Sequence, residues 1–128
     1  MRYLYVLFFV LLGGNGLFML LAPQQWYLTI PGVVQTGPFN PHFVRDVGMA
    51  YLLCGVAFGA LLKFGAGAKP YAVAGSVFIL GHGLIHALET LADSTPLTHF
   101  LADLPLVVVL PAVAFWSVVR IPRGASHV

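Results

Sequence analysis

The sequence predicts an all-α protein, an antiparallel four-helix transmembrane bundle with both the N and C termini cytoplasmic. Of the 128 residues, 59% are hydrophobic and only 8% are charged, whereas a soluble domain carries about 25% charged residues. The chain also contains separate apolar stretches of roughly 20 residues, the length that a helix needs to cross a bilayer. Backbone in lipid must satisfy its own hydrogen bonds, which favours helix for each stretch.

Proline and capping residues mark where the predicted helices begin and end. The first stretch stops at Pro23. Asn40-Pro41 and Thr95-Pro96 each place a capping side chain before a proline, the pattern of a helix start. The predicted helices cover about residues 3–22, 41–62, 70–91 and 96–119 of one integral membrane domain, 1–128.

Glycine and proline refine this prediction. Gly65 and Gly67 separate the second helix from the third. Pro105 and Pro111 lie inside the fourth helix, and proline in a helix interior removes a backbone hydrogen bond, so we expect a kink there. Small residues along the helices would allow close packing. The glycines singled out for this are Gly13, Gly16, Gly55, Gly59, Gly75, Gly81 and Gly83.

The positive residues predict the orientation. With four spans they fall on one side, which we expect to be the cytoplasmic face of a bacterial inner (plasma) membrane. The opposite face holds residues 23–40, where Trp26 and Tyr27 suit the interfacial aromatic belt. The sequence contains no run of basic residues, so it does not indicate a nucleic-acid partner. Its single cysteine, Cys54, excludes an internal disulfide. The positive residues that set the orientation are Arg2, Lys63, Lys69, Arg120 and Arg123.

Ionisable side chains inside a membrane span are costly and usually functional. They fall here at helical spacing on three helices, so each group shares a face. At 1.5 Å per residue, the three groups also fall at one level in the outer leaflet. The residues predicted to ligate a metal are His42 and Asp46 on the second helix, His82, His86 and Glu89 on the third, and His99 and Asp103 on the fourth.

Facing helices that project imidazoles and carboxylates inward are how metal sites are built in bundles. Nitrogen and oxygen ligands without thiolate suit iron, zinc, copper or manganese. The set is large enough for one ion or two, with Asp46, Asp103 or Glu89 as a bridge, or for one ion with further residues supporting its ligands. Asn15 could supply a hydrogen bond to the cluster. Haem is disfavoured because carboxylates would line its pocket.

Two segments resemble a known family. Leu21-Ala22-Pro23 ends the first helix, and Arg45-Asp46-Val47-Gly48-Met49-Ala50-Tyr51-Leu52-Leu53 opens the second. Together they resemble the DoxX-like group of small four-helix membrane proteins, over about the first half of the chain. The resemblance implies the four-helix fold, and some members of that group resemble the membrane subunit of a quinone-linked oxidoreductase.

The sequence therefore leads to a metal-binding integral membrane protein, and we expect a small oxidoreductase acting on a lipid-soluble small molecule. Alternatives are a metal-free proton relay, an ion- or proton-coupled transporter, a metal chaperone, and an accessory subunit of a larger membrane complex or homo-oligomer. Transport is disfavoured because the inner half of the bundle offers little polar beyond His82.

Overall fold

The structure, a computed structural model, describes residues 1–92, 101 and 104–122, with the side chains of α4 described as far as Glu89. Regular structure in these residues is helical, and no strand occurs among them. The predicted all-α class is confirmed. The long helices are α1 (Arg2–Leu21), α3 (Pro41–Phe64), α4 (Lys69–Ala92) and α5 (Leu104–Val119), and a short helix α2 (Pro23–Thr29) follows α1.

The segment between α1 and α3, which the sequence prediction left without helix, contains two short helical pieces. The proline that ends α1 also begins α2, because a residue without an N–H is tolerated at the first helical position. A 3₁₀ turn, Val33–Gln35, follows α2. Seven residues of helix are below the length at which a hydrophobic pattern can be recognised, so the sequence carried no clear signal for α2.

The start of α3 confirms the predicted cap. The Asn40 side chain accepts hydrogen bonds from the backbone N–H groups of His42 and Phe43, each at 3.1 Å. At its other end α3 stops at Gly65, whose φ of 58° lies in the region that favours glycine. A 3₁₀ turn, Gly65–Ala68, then leads into α4. The two helices therefore form the predicted antiparallel hairpin.

Helix α5 accommodates its prolines with a wider turn. Leu104–Val109 is π-helical and Leu110–Val119 is α-helical. Pro111 has no N–H, so the ordinary α-helical bond to the Val107 carbonyl cannot form, and local π geometry is one way in which a helix absorbs this loss. The finding refines the expected kink. The predicted start of this helix at Thr95-Pro96 lies outside the described residues.

Helices α1 and α3 touch through their backbones. A methyl group added at Gly16 would lie 2.5 Å from the backbone nitrogen of Leu52, and one added at Gly55 would overlap the backbone of Gly13. Close approach of this kind requires small residues at the contact. The prediction that glycines mediate helix packing is therefore correct for this pair, but not at Gly81, which has no neighbour within 4 Å.

The buried core lies toward the end of the bundle that holds the α3–α4 turn. Phe8 and Phe58 are fully buried and their ring centroids are 4.9 Å apart. At the same end the Tyr5 hydroxyl donates to the Ser117 carbonyl at 3.3 Å, which joins α1 to α5. The core consists of Phe8, Leu12, Cys54, Ala57, Phe58, Leu61, Ala68, Ala72, Ile79, Ala114 and Val118.

Two helical ranges among the described residues are long and apolar enough to cross a membrane: Arg2–Leu21 and Pro41–Glu89. The second range is continuous through the 3₁₀ turn and contains α3 and most of α4. The fourth helix, Leu104–Val119, is apolar but shorter.

Because Gly55 is in contact with the backbone of Gly13, Gly55→Ala should force α1 and α3 apart. We expect it to lower the free energy of unfolding by about 1–3 kcal/mol, the range for overpacking. Loss of helical circular dichroism during an SDS titration of the micelle-bound protein measures this. Gly14→Ala is the matched control, since Gly14 has open space around it. Equal losses in the two variants would contradict the packing argument.

Candidate functional site

An imidazole pair stands on the face of α4 that meets α3. His82 and His86 are spaced one turn apart, and their ring centroids lie 4.7 Å from each other in an edge-on arrangement. Both residues are half-buried. Glu89 continues the same stripe toward the end of the helix and is exposed. The third-helix part of the predicted site is thus one continuous face, as its spacing indicated.

Two aromatic rings adjoin this pair. Tyr51 of α3 meets His82 edge-on at 5.8 Å between centroids. Phe78, one turn before His82, lies nearly parallel to it at 6.2 Å, and Tyr51 also meets Phe78 edge-on at 6.1 Å. The imidazoles therefore belong to a half-buried ring cluster, which we define as Tyr51, Phe78, His82 and His86.

Tyr51 lies five residues after Asp46, off its face of α3, so the spacing gave no reason to include it in the site, and its place beside His82 was not predicted. The predicted hairpin of α3 and α4 could have indicated this contact. Folding the chain back at Gly65–Ala68 sets residues equally distant from the turn side by side, which pairs Tyr51 with His82. Cys54 and Gly75 also face each other, with 3.2 Å from the Cys54 Cα to a methyl group added at Gly75, in a register that differs by four residues, about one helical turn.

The second-helix part of the predicted site is a separate pair. His42 Nε2 lies 3.4 Å from Asp46 Oδ2, and these side chains are 88% and 64% exposed. Arg45, the neighbour of Asp46 in the sequence, donates to the Leu20 carbonyl at 3.4 Å. Asp46 therefore has an imidazole as its partner, at the exposed start of α3.

The two pairs lie at similar heights along the bundle, but they differ in burial. Asp46 precedes Tyr51 by five residues, about 7.5 Å along the helix axis. His86 follows His82 by four residues, about 6 Å. Since Tyr51 and His82 touch, Asp46 and His86 lie at similar heights. Their surroundings differ, because Asp46 is exposed while His86 is half-buried.

The predicted ligand set is only partly visible. His99 and Asp103 lie outside the described residues. Within residues 1–92 and 104–122, no three histidine, cysteine, aspartate or glutamate side chains gather into a group that could hold a metal ion. The structure brings His42 to Asp46 and His82 to His86, and the seven-residue metal site stays a prediction.

Asn15, expected to assist the cluster, has another partner. Its side-chain oxygen accepts a 2.8 Å hydrogen bond from the indole N–H of Trp26, and its amide nitrogen donates to the Met19 sulfur at 3.6 Å. The second half of α1 is thus fastened to α2. Tyr27 holds the following loop by donating to the Gly37 carbonyl at 2.7 Å. These bonds fold the segment between α1 and α3 onto the bundle end that carries the site.

Comparison with known protein families, with curated proteins and with solved structures found no match to this chain. The arrangement of the residues themselves is therefore the basis for assigning a function.

Trp26→Phe should destabilise the protein by about 1–3 kcal/mol, because it keeps an aromatic ring but leaves the Asn15 oxygen without its donor. Thermal unfolding in detergent, followed by circular dichroism, measures the change. Trp116→Phe is the matched control, since Trp116 is exposed and its ring meets the Arg120 guanidinium at 4.3 Å. An unchanged unfolding temperature in Trp26→Phe would show that this bond contributes little.

Proposed function

We propose that the chain is an integral membrane protein with four spans, lying in a bacterial inner membrane. The exposure of its apolar helices supports this. Only 28% of the apolar window in Arg2–Leu21 and 33% of that in Pro41–Glu89 is buried inside the protein. Large side chains on several faces, such as Leu53 at 62% and Leu84 at 59% exposed, need an apolar surrounding. Lipid provides it on all sides at once.

Both termini are cytoplasmic in this proposal, because the cationic residues collect at one end. The Lys69 ammonium donates to the carbonyls of Val119 and Ile121, which ties the start of α4 to the end of α5. Arg2 and Lys63 belong to this end as well, at the start of α1 and the end of α3. A cationic end of this kind favours the cytoplasmic side.

Cysteine labelling tests the orientation. In a Cys54→Ala background, Thr36→Cys should react with a membrane-impermeant maleimide on bacterial spheroplasts. Gly67→Cys, in the α3–α4 turn, should react only after the membrane is disrupted. Both positions are exposed, so access to the reagent depends on sidedness alone. The reverse pattern would invert the proposed topology, and labelling of both in intact spheroplasts would contradict a membrane between them.

We further propose that the protein binds a redox or Lewis-acidic metal ion and acts as a small oxidoreductase on a lipid-soluble molecule. The observation that carries this is the half-buried His82–His86 pair inside an apolar helix. Two imidazoles one turn apart form a recurrent metal-binding pattern on helices. Glu89 on the same stripe adds a carboxylate oxygen, and such a set suits iron, zinc, copper or manganese.

The remaining ligands in this proposal come from the other predicted residues: His42, Asp46, His99 and Asp103. A metal held here would supply redox or Lewis-acid chemistry. The chain itself would supply the ligands and the rings of Tyr51 and Phe78, which offer a planar, apolar contact beside His82. A substrate dissolved in the bilayer reaches such a position without crossing water.

Elemental analysis of the purified protein tests the metal. We expect a stoichiometric metal in the wild type and loss of most of it in His82→Ala and in His86→Ala. His127 does not belong to the predicted ligand set. His127→Ala should therefore retain the metal, and it controls for binding to any histidine. The variants Asp46→Ala and His42→Ala then decide whether the exposed pair contributes. A wild-type protein without metal, also after reconstitution with each of the four candidate ions, would end the proposal.

A further inference from the structure

Gly83 lies within the same turn of α4 as the imidazole pair and is in close backbone contact with α5. It is buried, and a methyl group added there would overlap the carbonyl oxygen of Val107 and lie 3.1 Å from its carbonyl carbon. The obstruction is backbone and not the end of a flexible side chain. Any residue larger than glycine at position 83 therefore requires α4 and α5 to move apart.

The geometry of α5 explains why its backbone is available for this contact. Val107 lies in the π-helical Leu104–Val109. Because Pro111 has no N–H, it cannot bind the Val107 carbonyl in the α-helical manner, and the oxygen faces Gly83 instead. A carbonyl oxygen against a glycine Cα is the arrangement of a weak C–H···O contact, which recurs where helices pack closely. Isolated π-turns also occur often at functional sites.

The same turn of α4 is also contacted by α3. Tyr51 of α3 meets His82, the residue next to Gly83, and His82 in turn meets His86. The turn is thus held between a ring on α3 and a carbonyl on α5. A shift on either side displaces the imidazoles, since both of them belong to this turn and the one after it.

We infer that Gly83, together with the π-turn of α5, positions the His82–His86 pair, so that Gly83 is a positioning residue of the metal site. Only the expected effect of Gly83 on metal binding rests on the proposed function. The structural part of the inference concerns the two imidazoles and can be measured without metal. Gly81, two residues earlier on the same helix, has open space around it and provides a matched control.

The test compares Gly83→Ala with Gly81→Ala in full-length protein in detergent micelles. The first readout is the imidazole NMR spectrum of protein labelled at histidine, without metal. We expect the resonances of His82 and His86 to shift in Gly83→Ala and to stay in place in Gly81→Ala. The His42 signals, from the exposed pair, should not change in either variant. Unshifted His82 and His86 resonances in a folded Gly83→Ala would overturn the inference.

The second readout is Cu(II), titrated into the same proteins and followed by electron paramagnetic resonance. We expect affinity in Gly83→Ala to fall about 10- to 100-fold, as for residues that orient metal ligands, with altered nitrogen hyperfine structure. Gly81→Ala should match the wild type. If the wild type binds no more copper than the double variant His82→Ala/His86→Ala, the pair is not a copper site and the expected effect on copper affinity is contradicted, while the NMR comparison still decides the positioning.

A variant that adds no atom to α4 covers the case in which Gly83→Ala does not fold. Pro111→Ala restores an N–H that can bind the Val107 carbonyl along α5 and draw it away from Gly83. We expect the His82 and His86 resonances to shift in this variant as well. If they do not shift although Pro111→Ala folds, the π-turn has no influence on the pair and the inference is overturned.

Discussion

Direct backbone contact between helices, made possible by glycine, is the constraint on which the arrangement depends. In the proposed membrane setting, helices gain no hydrophobic driving force by associating, so close van der Waals packing must hold them together. Gly16 and Gly55 allow it between α1 and α3, and Gly83 allows it between α4 and α5. The α3–α4 hairpin then joins the two pairs. The ring cluster lies along this hairpin, so its geometry depends on contacts made by residues without side chains.

The two ends of the bundle differ in polarity. Its aliphatic and aromatic core gathers toward the α3–α4 turn, where Lys69 also closes the end of α5. Toward the other end, the interface of α3 and α4 becomes one of half-buried rings and imidazoles, and the His42–Asp46 pair stands exposed at the start of α3. An end that is filled with apolar atoms favours rigidity, whereas half-buried polar groups stay partly accessible from outside the bundle.

Much of the fold could be predicted from the sequence, because it depends on interactions between residues close together in the chain. The Asn40 cap, the turn at Gly65 and the limits of three long helices follow from residues that act on their immediate neighbours. The Asn15–Trp26 bond, the place of Tyr51 beside His82 and the π-turn escaped prediction for a common reason. Each depends on where a second helix lies, or on how a helix relaxes around Pro105 and Pro111. Spacing reveals which residues share a face of one helix, but it does not reveal which direction that face takes within the bundle. Asp46 and His86 illustrate the difference, since they lie at similar heights but the first is exposed and the second half-buried.

The position of Lys69 determines how deep the imidazole pair lies in the proposed bilayer. Its ammonium donates to the carbonyls of Val119 and Ile121 at the end of α5, and in the proposed membrane a charged group of this kind stays at the edge of the hydrocarbon layer. His86 follows 17 residues later, about 26 Å along α4, and Glu89 about 30 Å. In the proposed orientation, a hydrocarbon layer of about 30 Å would cover the imidazole pair and leave the carboxylate at the opposite boundary. Hydrophobic mismatch would then act on the site directly: a thinner bilayer would bring the imidazoles toward water, and a thicker one would draw Glu89 into lipid.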